Sequence, residues 1–208
     1  MTVRQAAKDK QMRYRIAMEA ARIIAEGGVR DFHVAKRKAA SKLGAPNTRN
    51  MPRNAEIEEA LIEHQRLFKS DSHSNTIKQL LDSALEAMEF FSDFRPRLTG
   101  PILNGTANAH SSVELHLFAT TPEDVAVFLM DHHIPYQQIE KRLRLGQEKY
   151  ESYPGFRFLA GETDVELIVF TENKSRQAPL DQVSGKPMQR ASIEEVEVLL
   201  QKESEDLN

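Results

Sequence analysis

The run LTGPILNGTANAHSSVELHLF, residues 98–118, decides how the rest of the chain is read. It has three pieces: an apolar stretch ending in Gly105 and Thr106, a short polar loop, and a segment in which polar and apolar residues alternate. Alternation with period 2 marks a strand, so Ser112, Glu114 and His116 share one face while Val113, Leu115 and Leu117 share the other. A small-residue turn next to polar groups on a strand can hold a phosphate and a metal ion. An ordinary half-buried strand with one wet face gives the same pattern.

Upstream of this run the grammar is helical. Ile16, Ala20, Ile23 and Ile24 recur at helical spacing, so a helix is expected over 5–27, stopped by Gly27 and Gly28. Asp31 is placed to cap a second helix over 31–43, which Gly44 and Pro46 end. A third runs over about 54–68, with Asn54 as its candidate cap. The polar stretch 69–75 reads as a linker, and 76–91 as a fourth helix carrying Ile77, Leu80, Leu81, Leu85 and Met88.

Downstream, strands are expected near 97–103, 113–119, 156–160 and 164–170, the last two forming a hairpin about Gly161. The run 135–145 admits either a helix or a strand. Thr121-Pro122-Glu123-Asp124 opens one helix, and Ser192 with Glu195 caps the last. The polar residues 171–191 form a long loop. The pattern gives an α+β fold, a helical N-terminal region followed by a small mixed sheet with flanking helices. The expected division is a helical basic region at 1–92 and an α+β domain at 93–208.

The 208 residues suffice for a sizeable core, and 40% apolar with 28% charged residues describes a soluble globular chain. No apolar run approaches the ~20 residues of a membrane span. The absence of cysteine excludes disulfides, thiolate nucleophiles and cysteine-based zinc sites, and fits a cytoplasmic location. The net charge of −3 conceals a split: residues 1–70 carry 15 basic against 8 acidic side chains, and the remainder 13 against 23. Either the basic part meets an anionic partner, or the two parts attract each other.

The segments LNGTANAHSSVELHLF and ETDVELIVF together resemble the nucleotidyltransferase superfamily, whose small catalytic domain is related to polymerase β. That family shows an apolar strand, a Gly-Ser turn, a strand bearing Asp-x-Asp, and a third carboxylate on a later strand. Thr106 stands at the serine. Aligning SSVEL with the family's SDVDL puts Ser112 at the first acid and Glu114 at the second, and a serine hydroxyl is a poor Mg²⁺ ligand. The shifted frame, Glu114-x-His116, brings in an imidazole, which suits Zn or Mn better than Mg. The resemblance spans residues 95–170. It implies transfer of a nucleotidyl group from an NTP with Mg²⁺ or Mn²⁺, Gly105 and Thr106 binding the nucleotide phosphates. Glu114, Asp164 and Glu166 are the implied catalytic carboxylates, and Glu114, His116 and Asp164 the implied metal ligands. The chain also resembles a group of small bacterial proteins with the same helical front and strand-rich back.

The alternative is a non-catalytic nucleic-acid- or partner-binding protein with an eroded form of that fold. Its contact residues are sought in the basic stretch 30–53, above all Lys36, Arg37, Lys38 and Lys42. A solvated basic face accounts for the same residues. His132 and His133 follow Asp131 where a helix ends, a place for an imidazole cap rather than a metal site.

Overall fold

Two units account for the chain, Met1–Ser70 and Asp71–Asn208; the computed structural model describes residues 3–29, 31–67, 71–146 and 148–205. In the first unit α1 (Val3–Gly27), α2 (Phe32–Lys42) and α3 (Asn54–Leu67) surround a core rich in alanine, with Ala17, Ala20, Ala35, Ala39 and Ala60 beside Ile16, Ile57 and Leu61. Small side chains let α1 approach both of its neighbours closely. Asp31 caps α2, accepting from the amides of His33 and Val34 at 2.6 and 3.1 Å. Asn54 does not cap α3. Arg53 holds that position, its amide donating to Glu56 at 2.8 Å, while the Asn54 side chain accepts from Lys36. Arg30 and Phe68 lie outside the described residues.

The second unit begins with α4 (Asp71–Phe90), which starts earlier than its apolar stripe suggested and includes residues 71–75 of the expected linker; residues 69 and 70 lie outside the described part. Leu80, Leu81, Ala84, Met88 and Phe91 join the core of the sheet. Burial of that stripe places the division before α4, at 70/71, rather than at 92/93.

The sheet contains β1 (Arg97–Thr99), β2 (Val113–Ala119), β3 (Gln137–Arg144), β4 (Tyr150–Ala160) and β5 (Thr163–Thr171), in the order β1-β2-β5-β4-β3. Only β2 and β5 run parallel; the other pairs are antiparallel, so the sheet is mixed and the fold is α+β. The ambiguous run 135–145 is the edge strand β3. The strand expected over 97–103 stops at Thr99, because Gly100 has φ 76° and Pro101 opens a single helical turn, α5 (Pro101–Asn104). β4 begins six residues before the expected 156.

One face of the sheet carries Val113, Leu115, Leu117, Val165, Leu167 and Val169. It packs with α4, with Val125 and Leu129 of α6 (Pro122–Asp131), and with Val196 of α7 (Ile193–Glu205). The expected caps are present: Thr121 and Asp124 form a capping box on α6, and the Ser192 amide donates to Glu195 at 2.7 Å on α7. His132 closes α6, its Nδ1 lying 2.8 Å from the Phe128 carbonyl.

The opposite face has a different cover. Phe118, Leu143, Tyr153, Ile168 and Phe170 form a second apolar cluster. The loop after β5 reaches the β3 edge, where Leu180 bridges Arg144, and then returns to the β1 edge, where Ala191 bridges Leu98. On the way Arg190 lies over the rings of Phe118 and Phe170, 5.1 and 4.8 Å from their centroids. The expected long loop is thus a strap across the sheet.

Candidate functional site

Register brings the two principal carboxylates together. Glu114 on β2 and Glu166 on β5 are direct partners in the parallel pair, so both project from the strap-side face. Lys141 on β3 reaches over and binds both, with Nζ 3.4 Å from Glu114 and in direct contact with Glu166. Arg157 on β4, the antiparallel partner of Glu166, donates to the same carboxylate at 2.8 Å.

Glu166 is 7% exposed. Burial pushes its carboxyl up, but Lys141 and Arg157 outweigh burial and hold it below its ordinary value. For Lys141 burial favours the neutral amine, and Glu114 with Glu166 outweigh it, so the ammonium is held above its ordinary value. Within this four-residue cluster two cations therefore balance two anions. Gly100 is part of the arrangement, because a Cβ there would lie 2.8 Å from the Glu114 carboxylate carbon.

The other expected site residues separate from this pair in instructive ways. Asp164 lies two residues before Glu166 on β5, beside Leu159 in register, and its charge acts on Arg157. His116 shares the face with Glu114 but is buried, and its Nδ1 is 2.9 Å from Nε of Arg190. Burial, followed by the charges of Arg190 and Lys141, drives its pKa well below the usual value. Gly105 adopts φ 70°, and the amides of both Gly105 and Thr106 donate to the Pro101 carbonyl. Those two donors are committed to ending α5.

These positions test the implied Mg²⁺ or Mn²⁺ on geometry. A divalent ion needs carboxylate oxygens free to coordinate it, yet an ammonium already sits between Glu114 and Glu166, and the Nδ1 lone pair of His116 faces a guanidinium. Glu114, His116 and Asp164 do not converge, and among the described residues no three acidic or histidine side chains do. The side chains as placed do not fit the ion.

In the first unit Lys36 bonds the Pro52 carbonyl at 3.3 Å and the Asn54 side chain at 2.9 Å, closing the loop onto α3. Lys42 pairs with Glu19 at 2.9 Å. Arg22 and then Lys42 hold the Glu19 carboxyl down at about 2. Arg37 and Lys38 are exposed on α2. Of these four, Lys36 closes the loop, Lys42 is exposed but paired with Glu19, and Arg37 and Lys38 face outward; Arg49 and Arg53 of the same stretch are exposed as well.

Sequence reasoning missed Lys141 and Arg157. Lys141 sits in the basic run Lys141-Arg142 of β3 and Arg157 alone on β4, and neither position points to Glu166 until register is known. No protein-family model matches the chain, and no curated protein is significantly similar to it.

Proposed function

We propose that the chain is a non-catalytic binding protein, in which the second unit is a scaffold and the first offers Arg37 and Lys38 to the phosphates of a nucleic acid. The observation that carries this reading is Lys141. A side-chain ammonium bridging Glu114 and Glu166 takes the position a catalytic cation would need, and Arg157 completes the neutralisation. Arg37 and Lys38 are exposed and form no ion pair among the described residues, whereas Lys36 is tied to the Pro52 carbonyl and Asn54, and the exposed Lys42 is paired with Glu19. We therefore take Arg37 and Lys38 as the centre of the contact.

Binding of mixed-sequence RNA and DNA at low and high salt tests it. The expected result is an association that weakens as salt rises, is lost in Arg37→Glu/Lys38→Glu, and persists in Lys141→Met. Charge reversal without loss of binding overturns it.

A second reading, nucleotidyl transfer, is favoured by one specific observation: Glu114 and Glu166 do meet at a single cation. It requires Lys141 to withdraw. Stabilisation of the unmodified chain by an NTP with Mn²⁺, and not by either alone, would support that reading over the first.

A further inference from the structure

β3 ends the sheet, and among the described residues its outer edge is met only at Arg144, whose carbonyl accepts from the Leu180 amide at 2.6 Å. That bond shows which backbone groups point outward. Peptide groups alternate along a strand, so if Arg144 faces out, Gln138, Glu140 and Arg142 do as well, and residues 139, 141 and 143 turn theirs to β4. An edge with open donors and acceptors is a template for another strand.

The side chains specify which strand. In an antiparallel pair of two identical edges centred on Lys141, Glu140 lies opposite Arg142 of the other copy, and Arg142 opposite its Glu140. Those are also the positions whose backbones point outward, so each pair exchanges two main-chain hydrogen bonds beneath an opposite-charge contact. On the other face Ile139 lies opposite Leu143. The central lysines meet at a position with no main-chain bonds, and each ammonium is already held by its own Glu114 and Glu166. Centring on residue 140 would set Glu140 against itself. Centring on 142 would set Arg142 against itself and place Glu140 opposite Arg144, which Leu180 occupies, leaving no open opposite-charge pair. Centred on Lys141, the occupied Arg144 falls opposite Gln138, so the pairing is confined to residues 139–143 and keeps both Glu140–Arg142 contacts. Glu140 and Arg142 are both exposed, and Arg142 is laid over the Tyr150 ring, 4.8 Å from its centroid.

We propose that this edge pairs with a second copy of the chain, antiparallel and centred on Lys141, to give one sheet continuous across the dimer. The proposal is independent of the nucleic-acid reading. Sedimentation equilibrium of the full chain tests it, together with Glu140→Arg and Arg142→Glu. Each substitution places like charges across both symmetric contacts, so each variant should self-associate on the order of tenfold more weakly than the unmodified chain. Mixed together, the two variants recreate opposite-charge pairs at every contact and should form a heterodimer tighter than either homodimer. The exchange variant E140R/R142E keeps the complementarity and should dimerise as the unmodified chain does. A chain that stays monomeric throughout, a dimer indifferent to both single substitutions, or a mixture no tighter than its components overturns the proposal.

Discussion

Nε of Arg190 donates to Nδ1 of His116 over 2.9 Å, joining the strap to β2. A guanidinium has only donors, so Nδ1 accepts and the ring proton sits on Nε2. Arg190 and Lys141 bear on this imidazole, and Arg97 is its register partner on β1. All three are cationic, and the Phe170 ring lies 4.6 Å away. A further positive charge on the buried ring is opposed by Arg190 and Lys141.

Acid therefore weakens the fold through His116. Unfolded, the histidine takes up a proton near pH 6.5; in the native state it does so only well below that value. The contribution is fully present above about 6.5 and declines as pH falls beneath it. The expected loss is about 1 kcal/mol per pH unit below that point until the native imidazole itself titrates. Urea midpoints at about pH 7.5, 6.5 and 5.5 measure it. His116→Gln should flatten that part of the profile, and an unchanged slope in the variant would assign the acid sensitivity elsewhere.

Arg190 holds the strap as well as the histidine. Beyond the His116 bond it donates to the carbonyls of Ser175 and Gln177 at 3.2 and 3.4 Å and covers Phe118 and Phe170. Burial foremost lowers its own pKa to about 10, which leaves it charged at neutral pH. Arg190→Met keeps an apolar stem and loses the bonds, so a cost of about 2 kcal/mol is expected. Trypsin should then cut faster after Arg176. Equal cleavage rates in the two proteins would mean that the backbone bridges at Leu180 and Ala191 suffice to hold the strap.

Much of this architecture was legible in the chain. Alternation gave β2 and β5, Gly161 gave their hairpin neighbour, and the caps at Asp31, Thr121 and Ser192 each formed. The cation cluster was not legible, because Ile139, Leu143 and Leu145 fit either period and Lys141 lies 27 and 25 residues from the carboxylates it binds. Only pairing between strands brings such residues together. The turn at Gly105 and Thr106 was found correctly as a turn, yet its amides serve Pro101, a use that spacing does not reveal.

Removing Lys141 should expose how much the carboxylate pair depends on it. Lys141→Met leaves Glu114 and Glu166 as neighbours with Arg157 alone, and a partly buried charge without its partner costs about 3 kcal/mol at neutral pH. In the unmodified chain Glu166 lies below its ordinary value of 4.5, so its contribution is present above 4.5 and lost as pH falls through the native value. In the variant, protonation relieves the repulsion and begins at higher pH. The deficit against the unmodified chain should therefore shrink between about pH 7.5 and pH 5. Paired urea melts at both values check it, and a deficit independent of pH would sink the account.

Two glycines flank α5, and they should respond differently to alanine. Gly105 has φ 70° and ψ 24°, ordinary left-handed geometry, and no atom lies within 4 Å of a Cβ built there. Gly105→Ala should cost about 1 kcal/mol, the price of that conformation for an L-residue. Gly100 has φ 76° and ψ −155°, a region nearly closed to other residues. A Cβ there would also press on the Glu114 carboxylate, 2.8 Å from its carbon and 2.9 Å from Oε2. Gly100→Ala must bear backbone strain and push Glu114 away from Lys141, so about 3 kcal/mol is expected. Thermal melts of the two variants compare the costs directly. In Lys141→Met the Glu114 carboxylate has no ammonium to lose, so Gly100→Ala should cost less there than in the unmodified chain; equal costs in both backgrounds would show that backbone strain alone sets the penalty.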